Sequence, residues 1–251
     1  MANLDDHKDT DGASGIIPVN TRELARLNMT GMPPNWGWLY GDMCLYLARA
    51  ALPDCQRFLM VENDVLFTGD AAARLLQLVN GTDAAAMAVR LALHEEMPKH
   101  SRRLAALGCD PHAGCIFPVV YATADTIDRM AVLRRAALAD RLLRLNDEAI
   151  LSGVVFRDAL PCISLDQAEP SLFSPASFET NPPHLRESVL RETTAAAWHP
   201  THSLQDVLAR IADPARSYGP YRLRQILAGA LPEEHAAIRA ALRQARATKP
   251  T

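Results

Sequence analysis

The stretch RFLMVENDVLFTGD, residues 57–70, runs apolar from Phe58 to Val61, breaks into Glu62, Asn63 and Asp64, and resumes as Val65, Leu66 and Phe67. A short continuous apolar run of this kind is the pattern of a central strand, buried on both faces of an α/β sheet. A strand needed only for packing has no use for two carboxylates between its apolar halves. Two readings are open. Either Glu62 caps the strand and Asp64 starts a polar turn, or the strand end carries chemistry. Carboxylates spaced i, i+2 share a face of an extended strand, and across a tight turn they converge on one ion. Two hard oxygen donors suit Mn²⁺ or Mg²⁺, which keep further positions for water and substrate phosphates.

Outward from this strand, elements alternate. Upstream, GDMCLYLARAALPD (41–54) reads as a helix with Asp42 at its N-cap and Pro53 at its end. Residues 15–21, GIIPVNT, read as a short strand or an extended lead-in. Downstream, TGDAAARLLQLVNG (68–81) is a helix closed by Asn-Gly, and DAAAMAVRLAL (83–93) is a strand for which helix competes. A polar segment (94–114) with a short helix leads into the strand CIFPVVYAT (115–123). The spacing predicts one long helix over 124–145, a helix capped by Asn146 and Asp147 over 146–159, and a short strand over 161–166. Residues 167–202 are rich in proline and loop-like, with a helix possible in HLRESVLRET, and amphipathic helices finish the chain from SLQDVLARIAD onward. The alternation predicts a mixed α/β sheet flanked by helices, with a C-terminal helical appendage. The expected division is a disordered leader over 1–14, an α/β domain over 15–202 and helices over 203–251. The acidic stretch then lies at the carboxyl end of a strand, where open α/β sheets bind ligands.

Composition narrows the class. A chain of 251 residues with 49% hydrophobic and 22% charged residues is an ordinary globular sequence able to bury a sizeable core. A formal net charge of −3 argues against a nucleic-acid partner, and no apolar run approaches the ~20 residues of a membrane-spanning helix. Five irregularly spaced cysteines form no disulfide framework, which points to a reducing cytoplasm. Nucleotide-binding P-loop, G-x-G-x-x-G and hydrolase G-x-S-x-G signatures do not occur.

In its order of motifs the chain resembles the GT-A class of nucleotide-sugar-dependent glycosyltransferases over roughly residues 30–202. Glu62-Asn63-Asp64 matches the E-x-D form of that class's metal motif. NWGWLYGDMCLYLARAALPDCQRF (35–58) is similar to the Trp, Gly-Asp and helix stretch before the motif in some bacterial members. NDEAILSGVV (146–155) resembles an acidic segment downstream of it, and WHP (198–200) is similar to a C-terminal histidine motif that closes on the metal and diphosphate. The resemblance implies a metal-dependent transferase moving sugar from a nucleotide-sugar donor to a glycan or other hydroxyl acceptor. It implies Mn²⁺ or Mg²⁺ held by Glu62, Asp64 and His199, and Asp147 or Glu148 as the base that takes the acceptor's proton. It further implies donor contacts from Asp42, Trp36 and Trp38.

Each residue also has a structural use. Two acids in a helix's first turn complement its dipole, Asp42 suits a cap, and tryptophans pack. GT-A enzymes usually place a larger βαβ region before the acidic motif, whereas 61 residues precede Glu62 here. That departure keeps a second expectation open, a non-catalytic scaffold or binding protein of GT-A-like fold; a metal-dependent hydrolase using the same carboxylates is a third. Cys109, His112 and Cys115 offer three possible zinc ligands without an adjacent fourth, or a Gly/Pro turn flanked by thiols. Arg134, Arg135, Arg141 and Arg144 read as a solvated helix face, and the arginine-rich C-terminal helices could pack against another copy.

Overall fold

The computed structural model describes residues 17–32, 36–140, 142–213 and 218–247. In chain order they form α1 (Thr21–Arg26), α2 (Trp36–Leu39), α3 (Met43–Ala51), β1 (Arg57–Val61), β2 (Leu66–Thr68), α4 (Ala71–Asn80) and β3 (Ala86–Leu93). A 3₁₀ segment (Ser101–Leu107) follows, then β4 (Ala113–Thr123), α5 (Ala124–Ala139), α6 (Asp147–Arg157), β5 (Cys162–Ser164) and α7 (Leu165–Ala168). The remainder holds β6 (His184–Leu185), α8 (Arg186–Val189), β7 (Ala196–Trp198), β8 (Thr201–His202), α9 (Leu204–Ala212), α10 (Pro220–Ala228) and α11 (Pro232–Ala247). The chain divides into two compact units interleaved in sequence, residues 1–62 with 82–168, and residues 63–81 with 169–251. The expected leader, 1–14, lies outside the described residues, as do Gly15 and Ile16.

The first unit is α/β, as expected. Its sheet has the order β1-β4-β3-β5, antiparallel except for the parallel pair β3–β5. The centre of the sheet is β4, whose residues are buried from Ala113 through Ala122. This corrects the reading of residues 57–62: β1 is an edge strand, with Phe58 buried and Val61 40% exposed. An apolar run signals burial without saying which strand is central, and here the long run around Phe117 takes that place. That strand contains Pro118, which an interior position would normally forbid because proline cannot donate to the ladder. The register supplies the exception. Ala88 pairs with Val120 but the next residue, Val89, pairs with Ile116, so Phe117–Val119 bulge away from β3 where no donor is required. On its other side Pro118 still accepts the amide of Glu62 through its carbonyl, at 2.8 Å.

A second irregularity lies in β3, between Val89 and Ala92. Arg90 takes a left-handed φ of 54°, and the displaced amides are recovered by side chains: Arg90 N–H donates to Asp166 Oδ1 at 2.7 Å and Leu91 N–H to Ser164 Oγ at 3.0 Å. The predicted helix over 124–145 stops at Ala139. Asp140 turns its carboxylate onto the amide of Leu142 at 2.9 Å, a local bond that competes with helix continuation. Arg144 therefore lies outside α5, Arg141 lies outside the described residues, and Arg134 is not on a solvated face but buried completely. It occupies the apolar stripe Ile127, Met130, Arg134, Ala137.

The second unit pairs β2 with β7 antiparallel and β6 with β8 parallel. Leu185, Val207, Ile211, Tyr218, Ile226 and Ile238 form one apolar cluster that joins α9, α10 and α11. Helix α9 carries a complete capping box between Ser203 and Asp206. The segment 167–202, read as loop with one helix, also contributes three strands of two or three residues, too short for periodicity to reveal. No helix among the described residues is long and apolar enough to cross a membrane.

Candidate metal centre and its neighbours

In the second unit, Asp64 sits in the turn between Glu62 and β2, and His199 follows β7. Residues far apart in sequence are thereby brought together: His199 Nε2 lies 3.8 Å from Asp64 Oδ1. The histidine is held firmly. Its amide donates to Ser177 O at 2.9 Å, its carbonyl accepts the Glu179 amide at 3.1 Å, and its ring Nδ1 lies 2.7 Å from Glu179 O. A carbonyl only accepts, so Nδ1 carries a proton and Nε2 is the ring atom turned to Asp64. Phe178 packs on the imidazole with centroids 5.2 Å apart, and Phe173 meets Phe178 edge-on at 5.3 Å. Burial pushes the His199 pKa below its ordinary value, although the Asp64 charge and the Glu179 carbonyl pull the other way. The ring thus turns Nε2 toward a carboxylate oxygen.

Asp64 Oδ1 is itself buried and has no hydrogen-bond partner. A buried oxygen without a partner costs about 1–3 kcal/mol, and a cation bound between it and Nε2 would remove that cost. Two donors each about 2.1 Å from a shared ion stand roughly 3.0–4.2 Å apart, and the observed 3.8 Å falls in that range. A ligating histidine that donates its other ring N–H to a backbone carbonyl is also the usual arrangement at metal sites.

Within the second unit, Asp64 and His199 have donor atoms close enough to share a metal ion. Cys109, His112 and Cys115 form no such set. The Cys109 thiol is directed at Leu107 O and the Cys115 thiol at Glu148 O, and none of the five cysteines is in a disulfide.

The first unit holds the remaining acids. Glu62 extends β1, and its carboxylate reaches the backbone of Gly41: a Cβ on Gly41 would stand 3.2 Å from Glu62 Oε1 and 2.8 Å from Asp147 Oδ2. The Gly41 amide donates to Asp147 Oδ2 at 2.8 Å, and the Glu148 amide to Asp147 Oδ1 at 2.9 Å. Asn146 is the N-cap of α6, accepting the Ala149 amide at 3.1 Å and donating to Glu148 Oε2 at 2.8 Å. Burial, reinforced by the charges of Asp42 and Glu148, holds the Asp147 pKa well above the carboxylate range. Burial also raises Glu148, against the Asn146 hydrogen bond. The same negative surroundings act on Cys44, whose thiol is pushed up to about 11 by burial first and by Asp42 and Glu62 next.

Asp42 occupies the N-cap position of α3 but makes no capping bond. It is wholly buried and takes both Arg134 Nε and Nη2 at 2.8 Å, with the Tyr46 hydroxyl at 2.6 Å. Arg134 Nη1 donates to Leu145 O at 2.6 Å, and its guanidinium lies 4.2 Å from the Tyr40 ring centre. The clamp ties α3 and the start of α6 to α5. Trp36 is 6% exposed and packs in the core, and Asp42 is fully buried. Trp38 lies on α2, and its side chain lies outside the description. Sequence reasoning missed the Arg134 clamp, although an arginine at an apolar-stripe position was its signal. It also missed Gly41 and Thr201, for which spacing gives none.

The chain was compared with known proteins. No family model, curated protein or solved structure matches it.

Proposed function

We propose that the protein is a metal-dependent glycosyltransferase that moves a sugar from a nucleotide-sugar donor to a hydroxyl acceptor, with Glu62, Asp64 and His199 holding the cation. The observation that carries this reading is the pairing of Asp64 Oδ1, buried and without a hydrogen-bond partner, with Nε2 of His199. Glu62, two residues before Asp64 in the chain, supplies the third donor. The donor set of two carboxylates and one imidazole suits Mn²⁺, and Mg²⁺ with more water. A cation held there supplies charge neutralisation for a nucleotide diphosphate as the glycosyl bond breaks. His199 keeps one tautomer through Glu179 O and so presents a fixed donor. In this reading Asp147 or Glu148 would take the proton of the acceptor hydroxyl, and Asp147, whose pKa burial raises, would first have to release its own.

One observation favours the second reading, a binding protein without catalysis. Asp42 and Trp36, expected to touch the donor, are built into the core instead. Calorimetric titration of UDP and GDP, with Mn²⁺ and then with EDTA, separates the two. The transferase reading expects binding of one nucleotide that requires Mn²⁺ and disappears in Asp64→Ala. Absence of binding for both nucleotides under either condition would transfer the assignment to the binding protein.

A further inference from the structure

We propose that Thr201 is a positioning residue for Asp64, and that the His199-Pro200-Thr201 arm builds the metal centre before any metal arrives; this rests on the metal reading above. Thr201 is 2% exposed, and both of its donors meet one acceptor: the backbone N–H and the side-chain Oγ1–H donate to the carbonyl oxygen of Asp64, at 2.7 and 2.8 Å. The carbonyl of the Asp64 residue is thereby fixed from two directions, which sets the root of its side chain. On the same arm, two residues earlier, His199 is fixed by its amide and carbonyl on Ser177 and Glu179 and by its ring Nδ1 on Glu179 O. Pro200 between them has no N–H to satisfy, and its carbonyl accepts the His184 amide at 2.7 Å. One tripeptide therefore supplies a ligand at one end and the anchor of a second ligand at the other.

The consequence is a preorganised pair. A carboxylate on a free turn would have to be ordered by the metal, and that ordering would subtract from affinity. Here the protein's own hydrogen bonds hold Asp64 Oδ1 3.8 Å from His199 Nε2, with no hydrogen bond of its own on that oxygen. Bonds of this supporting kind change metal affinity by about 10–100-fold when removed.

The test measures Mn²⁺ binding by the paramagnetic resonance signal of free Mn²⁺, on the full chain, for the natural protein, Thr201→Val and Thr201→Ser. Thr201→Val keeps the shape and the backbone bond but removes the hydroxyl, and is expected to weaken Mn²⁺ binding at least tenfold. Thr201→Ser restores the hydroxyl and is expected to return affinity to within about threefold of the natural protein. A purely structural role would instead lower the melting temperature in EDTA without this split in affinity. Equal Mn²⁺ affinity in natural protein and Thr201→Val overturns the inference and leaves the metal reading standing; a natural protein that binds no Mn²⁺ removes both. If Thr201→Val does not fold, amide hydrogen exchange on the natural protein decides. The Thr201 amide is expected to be protected in EDTA and unchanged by Mn²⁺, whereas protection that appears only with Mn²⁺ overturns the preorganised pair.

Discussion

Replacing Arg134 by methionine removes the only cation seen bonded to the buried Asp42 carboxylate among the described residues. Three hydrogen bonds of 2.8, 2.8 and 2.6 Å disappear, together with the stacking on Tyr40. Methionine fills much of the space, so cavity formation is a minor part of the cost. The larger part is an uncompensated charge at 0% exposure, left among the described residues with the Tyr46 hydroxyl, and breaking one partner of such a pair costs about 3–5 kcal/mol. At about 2–4 °C per kcal/mol for a unit of this size, the melting temperature falls by roughly 6–20 °C. The assay is urea unfolding followed by circular dichroism, with Asp42→Leu and the double substitution completing a cycle. The double variant is expected to recover much of the loss, because well-packed apolar replacements of a buried pair are often neutral. A loss below about 1 kcal/mol in Arg134→Met, or simple additivity in the double variant, would refute the clamp as described.

Two further outcomes follow from the first unit. Because the folded pKa of Asp147 is raised, the native state keeps a proton that the unfolded chain releases above about pH 4, so stability falls as pH rises through that window. Asp147→Asn retains an acceptor for the Gly41 amide and cannot ionise; in EDTA its urea midpoint should gain on the natural protein as pH rises above about 4, and a pH-independent difference would contradict the assignment. Asn146→Ala removes the N-cap of α6 and the bond to Glu148, and is expected to cost about 0.5–2 kcal/mol in the same assay.

The class of fold was readable because its main helices and strands have long enough runs to show their period, as in α4, β3 and α6. What escaped was order and local competition. An apolar run such as Phe58–Val61 looks central by composition, yet it lies at the sheet edge, and the central strand carries the proline that argues against such a place. That contradiction is resolved only by the register shift beside Pro118, which depends on pairing between strands and leaves no trace in local sequence. Asp140 ends α5 through a side-chain bond that helical periodicity does not register. At the site, the spacing of Glu62 and Asp64 was legible because two carboxylates interrupting an apolar stretch are out of place. The pairing of Asp64 with His199 was expected from motif order, but the bonds that fix it, from Glu179 O and from Thr201, involve backbone atoms that every residue type possesses. Arg134 was misread for the opposite reason: an arginine suggests solvent, and only tertiary pairing with Asp42 lets it occupy the apolar stripe.

The central claim is that Asp64 and His199 face each other across a cation. Its most direct test is Mn²⁺ titration of the metal-stripped protein, without nucleotide, beside Asp64→Ala and His199→Ala. The account predicts saturable binding of a single Mn²⁺ that both substitutions abolish. Absence of binding, or binding that survives both substitutions, would contradict it.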